Sequence, residues 1–103
     1  MNKLLLFFII TVSQLNADII NPPDGSELSY IHVLFEWEAA EGANEYNFEL
    51  SATDNFSSPL INISTNELFY IEKDNINWQS SYYWRIKSEN SDWIVASFTT
   101  GKS

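Results

Sequence analysis

The sequence predicts an all-β fold in which two antiparallel sheets pack face to face, and three observations support it. Apolar residues recur with a period of two rather than 3.6, as they do in half-buried strands. Aromatic residues make up 16% of the chain and suit pleated, packed surfaces. Clusters of turn-forming residues separate the alternating runs. About seven short strands at this spacing predict a two-layer β-sandwich formed by a single small domain.

The first residues have the layout of a secretory signal peptide. Lys3 precedes an apolar run from Leu4 to Val12, and Ala17 offers a small residue at the cleavage point. This run is about half of the roughly 20 apolar residues that a membrane span needs. We therefore expect residues 1–17 to be removed, which makes the domain secreted, cell-surface or periplasmic, without stable membrane insertion. The alternative is an uncleaved amphipathic start or a short anchor, because Leu15 is a poor match to the cleavage motif.

Three runs alternate strictly and should form the centre of the domain. They are His32–Glu38, Tyr46–Ser51 and Tyr82–Lys87. Every second residue in them is aromatic or aliphatic, so one face of each strand is expected to be buried. The side chains expected in the core, with one from the last run of the chain, are Phe35, Trp37, Tyr46, Phe48, Tyr82, Trp84, Ile86 and Phe98. At about 1.5–3 kcal/mol for each buried aromatic side chain, this set offsets much of the chain entropy.

Weaker runs complete the predicted sheets. They are Leu60–Ile63, Leu68–Ile71 and Ile94–Phe98. The cluster Asn21–Ser26 contains two prolines, which cannot donate to a strand ladder, and is expected to interrupt the first edge. The sandwich should span residues 18–100, with residues 101–103 as the start of a linker or a truncated tail.

Composition and charge exclude several kinds of function. The chain has 14 acidic residues, 5 Lys and Arg residues and a net charge of −9, which opposes binding to nucleic-acid backbones. It has no Cys, so disulfides, thiolate metal sites and thiol nucleophiles are excluded. His32 is the only histidine and begins a strand, so it has no second histidine to form a relay or metal site with. No catalytic residue, metal or cofactor is therefore expected, and the protein is not expected to be an enzyme.

Acidic residues occupy outward strand positions and allow two interpretations. One interpretation is a paired-acid site or a calcium-binding surface formed by Glu36, Glu38, Glu45 and Glu49. The favoured interpretation is a solvated acidic face that keeps the domain soluble, because the chain has no Asp-x-Asp-x-Asp-Gly loop.

Two triplets fit the N-glycosylation pattern. They begin at Asn55 and Asn62, and their use depends on the host.

Four aromatic residues do not fit the inward alternation. They are Tyr30, Trp78, Tyr83 and Trp93. Exposed Trp and Tyr side chains can stack on sugars or anchor a protein partner, so Trp78, Trp93 and Tyr83 are candidate ligand contacts. The alternative is that loop aromatics fold back over the sheet edge and serve packing alone.

Several short motifs occur in a fixed order along the chain. Pro23-Asp24-Gly25 resembles an opening turn, and Trp37 lies on the second predicted strand. Ile76-x-Trp78-x-Ser80-x-Tyr82 is similar to a tyrosine-corner run, with Trp78 where proline is usual, and Ser97–Thr100 closes the set. In this order the motifs resemble a fibronectin type III domain of secreted bacterial proteins. The resemblance implies an immunoglobulin-like sandwich in which the Tyr82 hydroxyl bonds the backbone of the preceding loop.

The resemblance also implies a function. Such a domain would be a non-catalytic extracellular spacer, adhesion or protein-interaction module, and it could be the N-terminal part of a larger secreted protein. The alternative is a carbohydrate-binding accessory domain that uses Trp78, Trp93 and Tyr83. The expected partner is an unidentified protein or a glycan, and the chain is expected to be a monomer. Binding to immobilised glycans would separate the two functions.

Overall fold

The computed structural model describes residues 16–103, and the regular structure of this part is entirely β. In chain order the strands are β1 Ile19–Asn21, β2 Ser26–Leu28, β3 Val33–Trp37, β4 Tyr46–Ser51, β5 Ile61–Thr65, β6 Phe69–Glu72, β7 Ser81–Ser88 and β8 Ile94–Thr100. Within this part no helix has the length and apolar character that a membrane crossing requires. The predicted signal peptide lies outside the described residues except for Asn16 and Ala17, and Ala17 is fully buried against the core.

The strands form two sheets, which confirms the predicted all-β, two-sheet architecture. The three-stranded sheet has the order β1-β3-β6, and the five-stranded sheet has the order β2-β8-β7-β4-β5. Residues 16–103 form eight strands rather than about seven. All paired strands are antiparallel except β2 and β8, which run parallel, so the expectation of a purely antiparallel sandwich is wrong at this edge.

The parallel pairing of β2 with β8 arises because the chain passes from the three-stranded sheet to the five-stranded sheet between β1 and β2. β1 ends before Pro22 and Pro23, which have no N–H to donate. Gly25 adopts a φ of 82°, a conformation that costs glycine little, and its N–H donates to the Ser97 carbonyl at 2.8 Å. The Asp24 carboxylate accepts a further bond from the Ser97 N–H at 2.8 Å. The predicted interruption at Asn21–Ser26 therefore divides the first edge into two strands, one in each sheet.

The core lies between the two sheets and consists largely of aromatic rings. All eight side chains expected there are no more than 4% exposed. The Phe35 ring lies 5.0 Å from the Phe48 ring, 5.1 Å from Trp84 and 5.8 Å from Phe98, measured between centroids. The Trp37 ring stacks on Phe48 at 5.9 Å. These ring contacts join β3 of one sheet to β4, β7 and β8 of the other, so they hold the two layers together.

The connection from β6 to β7 is fastened to the core by hydrogen bonds. The Tyr82 hydroxyl accepts a bond from the Asn77 N–H at 2.8 Å, which confirms the expected tyrosine-to-backbone contact. The Thr100 hydroxyl donates to the Asn77 carbonyl at 2.6 Å and accepts from the Ser80 N–H at 3.1 Å. This end of the sandwich is therefore fixed by side chains of β7 and β8.

Candidate functional site

Arg85 is the centre of a cluster on the outer face of the five-stranded sheet. Its guanidinium group donates to the Glu49 carboxylate at 2.7 and 2.8 Å. Its Cζ lies 4.3 Å from the centre of the Phe56 ring and 4.0 Å from that of the Trp93 ring. The Lys87 Nζ lies 4.9 Å from the Trp93 ring. We call Glu49, Phe56, Arg85, Lys87 and Trp93 the cation–aromatic cluster.

Strand register and two loops assemble this cluster. Glu49 of β4 and Arg85 of β7 are directly paired, so their side chains lie side by side on the outer face. Phe56 comes from the β4–β5 loop, where a φ of 54° turns its ring over the sheet. Trp93 immediately precedes β8, which places it beside β7.

The cluster corrects one expectation about the acidic residues. Glu49 was expected on a solvated face, but only 8% of it is exposed. Its position on the strand is outward, as predicted, yet Arg85 and the rings of the cluster exclude water from it. Of the other three carboxylates, Glu38 and Glu45 are exposed and Glu36 is half-buried.

Trp93 is half-buried, and its ring is already in contact with two cations of the same chain. A sugar stacking on the same ring face would have to displace Arg85 or Lys87. These contacts favour the packing interpretation of Trp93 over a role as an open sugar platform.

Of the other two candidate ligand contacts, Tyr83 shares the outer face of the five-stranded sheet with the cluster, whereas Trp78 lies apart from it. Tyr83 is half-buried on the outer face of β7, opposite Ser97 and Ser51. Trp78 is half-buried in the β6–β7 connection, before β7 begins, whereas Trp93 lies near its far end. At about 3.3 Å per strand residue, roughly 20 Å separates the two tryptophans along the sheet.

A second surface, which the sequence reasoning missed, lies on the outer face of the three-stranded sheet. Leu34 of β3 is paired with Ile71 of β6, and Phe69 is paired with Glu36. Ile20 is exposed on the neighbouring strand β1, at the irregularity between Ile19 and Asn21. These four apolar side chains, which we call the apolar face, are 37–48% exposed. Exposed apolar side chains that are grouped on one face mark candidate interaction sites, whereas apolar residues scattered singly do not.

The apolar face exists because β6 turns its polar residues inward. The Tyr70 ring lies 5.0 Å from Phe48 in the core, and its hydroxyl donates to Glu72 at 2.8 Å. Glu72 is only 3% exposed. Its carboxylate also accepts bonds of 2.8–2.9 Å from the N–H groups of Asp74 and Asn75 and from the Asn75 side-chain amide. With Tyr70 and Glu72 inside, alternation leaves Phe69 and Ile71 in solvent.

These inward contacts shift two pKa values. Burial alone would raise the pKa of Glu72, but the hydrogen bonds from Asp74, Tyr70 and Asn75 outweigh burial and lower it. Burial, the hydrogen bond to Glu72 and the negative charges of Glu72 and Asp74 raise the pKa of Tyr70 to about 12. Glu72 is therefore a charged, well-bonded anchor at neutral pH.

One end of the three-stranded sheet is strongly acidic. The Glu38 N–H donates to the Asp18 carbonyl at 2.8 Å, which brings both residues together. The Trp37 N–H donates to the Leu68 carbonyl at 3.2 Å, so the neighbouring Glu67 lies at the same end. We call Asp18, Glu38 and Glu67, together with Glu36 within the face, the acidic rim.

The positive charges of the described residues lie mostly elsewhere. Arg85 and Lys87 are on the five-stranded sheet, and Lys102 is in the C-terminal tail. Among residues 16–103, Lys73 alone follows directly from the three-stranded sheet, at the end opposite the acidic rim.

A polar groove of about 410 Å³ lies where β2, β7 and β8 meet the tail. Its lining includes Glu27, Ser81, Thr99 and Lys102 but no aromatic residue. It therefore lacks the stacking surface that the carbohydrate-binding hypothesis needs.

The described residues contain no group of three His, Asp or Glu side chains placed to hold a metal ion. Comparison of the chain with models of known protein families gives no match, and comparison with curated proteins gives none either.

Proposed function

We propose that this protein is an exported, non-catalytic protein-interaction module that binds its partner through the apolar face. The observation that carries the proposal is the exposure of Leu34, Phe69 and Ile71 on two paired strands of one sheet, with Ile20 exposed on the neighbouring strand β1. Covering four apolar side chains that are each less than half exposed is worth about 3–5 kcal/mol before the entropic cost of association. The face is thus large enough to contribute to recognition.

We further propose that the sandwich is of the fibronectin type III class. The hydrogen bond from the Asn77 N–H to the Tyr82 hydroxyl and the burial of Trp37 on β3 support this assignment. Export is supported by the sequence of residues 1–17. A spacer or adhesion role is compatible with the same architecture. Binding of a partner to the outer apolar face would leave the core of the sandwich intact, so the domain could still act as a rigid unit.

The carbohydrate-binding alternative has weaker support. Trp78 and Trp93 lie at opposite ends of β7, and Trp93 is engaged by Arg85 and Lys87. Retention on immobilised polysaccharide that is lost in Trp78→Ala or Trp93→Ala, with little change in melting temperature, would reinstate it.

Site-specific photo-crosslinking in the organism that makes the protein tests the proposal. A benzoylphenylalanine is placed at Leu34 in the full-length chain, and a matched control carries it at Val95. Val95 is a similarly exposed apolar residue on the outer face of the other sheet. We expect one adduct of defined mass at position 34, none at position 95, and loss of the adduct when Phe69→Glu is added. Equal adducts at both positions, or none at position 34, would refute the proposal.

A further inference from the structure

We infer that the partner presents an apolar contact surface bordered by Lys and Arg, which meet the acidic rim. The inference rests on the proposed function, and it specifies the chemistry of the partner at the same surface. Two independent features of the structure carry it: which side chains surround the apolar face, and how the few positive charges are distributed.

The acidic rim is asymmetric with respect to the apolar face. Glu36 lies between Phe69 and Asn21 in the strand register, within the face itself. Glu38, Asp18 and Glu67 lie beyond it, at the end where β3 finishes and β6 begins. The other end carries the positive side chain of Lys73 next to the carboxylate of Asp74, so their charges offset each other there. The basic groups of the partner should therefore contact the end defined by Glu38 and Glu67, which fixes the orientation of binding as well as the charge.

A second copy of this chain fits the face poorly. Each copy carries a net charge of −9, so face-to-face contact would bring two acidic rims into one interface. Like charges across an interface cost free energy, whereas complementary charges speed association and select the partner. The same repulsion disfavours anionic membranes and anionic polysaccharides.

A pair of synthetic peptides tests the inference. Both are 16-residue amphipathic peptides with the same leucine positions; one has Lys at its polar positions and the other has Glu. Each is titrated into the full-length, isotope-labelled protein while NMR shifts are recorded. We expect the Lys peptide to shift Leu34, Ile71 and Glu36 and to bind at least tenfold more tightly than the Glu peptide. This preference should shrink in 1 M salt, where the Debye length falls from about 10 Å at 0.1 M to about 3 Å.

Two triple variants control for non-specific attraction to an acidic protein. The first triple variant should weaken binding of the Lys peptide at least fivefold. It combines Glu36→Gln, Glu38→Gln and Glu67→Gln. The matched set Glu27→Gln, Asp54→Asn and Asp74→Asn removes the same charge away from the end that carries the acidic rim and should leave binding nearly unchanged.

The outcomes separate the inference from the proposed function. Three results would overturn the basic-partner inference. They are equal binding of both peptides, NMR shifts confined to the outer face around Val95, and equal effects of the two triple variants. An adduct at position 34 would still support the apolar face as the interaction site. An adduct formed only with a second copy of the chain would also overturn the inference, because it would identify a self-interface. Absence of any adduct at position 34 would refute both.

Discussion

Arg85 contacts the other side chains that cover this part of the outer face of the five-stranded sheet. It neutralises Glu49 and places its guanidinium group between the rings of Phe56 and Trp93. A carboxylate that is only 8% exposed requires such a partner, because an unpaired charge at that burial is costly. The three side chains around Arg85 therefore serve stability, which accounts for an aromatic residue at position 93 without invoking a ligand.

The first prediction concerns Trp93. We expect Trp93→Ala to lower the free energy of unfolding by about 1–2 kcal/mol, since it removes the cation–π contacts with Arg85 and Lys87. Urea denaturation measures the change, and Tyr30→Ala, an exposed aromatic in the β2–β3 connection, is the control with an expected change below about 0.5 kcal/mol. In a double-mutant cycle, Trp93→Ala and Arg85→Met should be non-additive. Unchanged stability in Trp93→Ala would show that the ring is not part of the packing.

At the residue scale, the sequence predicts burial correctly where the alternation of apolar and polar residues determines which side chains point inward. Period two identifies Phe35, Trp37 and Trp84 as inward, and they are fully or almost fully buried. It places Glu49 on the outward side of its strand, but it does not reveal what covers that side. Phe56 follows Glu49 by only seven positions, but Trp93 comes from a different loop, so the contact of both rings with Arg85 depends on tertiary structure.

Among the elements, β6 contributes most to the candidate site and was the hardest to orient from sequence. Its residues Phe69-Tyr70-Ile71-Glu72 are mostly apolar, so alternation allows either face to point inward. The hydrogen bonds of Glu72 with Asp74 and Asn75 favour the orientation with Tyr70 and Glu72 inside. An inward-pointing charge on an edge strand is also a known means of preventing uncontrolled strand pairing.

The second prediction is a pH dependence that arises from Glu72. Its pKa in the folded protein is below the ordinary value of 4.5, so its stabilising contribution is present above that value and is lost as pH falls through the folded pKa. We expect the free energy of unfolding to fall more steeply between pH 5 and pH 3 in the wild type than in Glu72→Gln. Urea denaturation at several pH values in this range measures both slopes.

A control is needed because hydrogen bonds from the amides of Glu45 and Asn44 also lower the pKa of Glu89. Glu89 is present in both proteins, so its contribution cancels in the comparison. Parallel pH curves for the wild type and Glu72→Gln would contradict the assigned role of Glu72.

The β1–β2 edge shows why topology was only partly predictable. The prolines at positions 22 and 23 correctly indicate an interruption, since they cannot donate to a ladder. They do not indicate that the chain resumes in the other sheet. That crossing depends on Gly25 and on the bonds that Asp24 and Gly25 make to Ser97, which lies more than 70 positions away.

In the whole molecule, the outer faces of the two sheets differ in the side chains that they carry and in their charge. The five-stranded sheet carries the cation–aromatic cluster and two of the positive charges. The three-stranded sheet carries the apolar face and the acidic rim. Single exposed apolar residues are normal on protein surfaces, whereas a group of four on one sheet face is the feature that we interpret as a binding surface.

The most direct test of this account compares two matched double substitutions by urea denaturation. Ile20→Thr with Ile71→Thr alters the exposed apolar face, and Ile61→Thr with Ile63→Thr makes the same change on β5, whose isoleucines pack against the core. Threonine retains strand propensity, so the comparison isolates burial. We predict a change within about 0.5 kcal/mol for the first pair and a loss of about 2–4 kcal/mol for the second. A comparable loss in both pairs would contradict the account, because it would show that the apolar face stabilises the fold and is not a free binding surface.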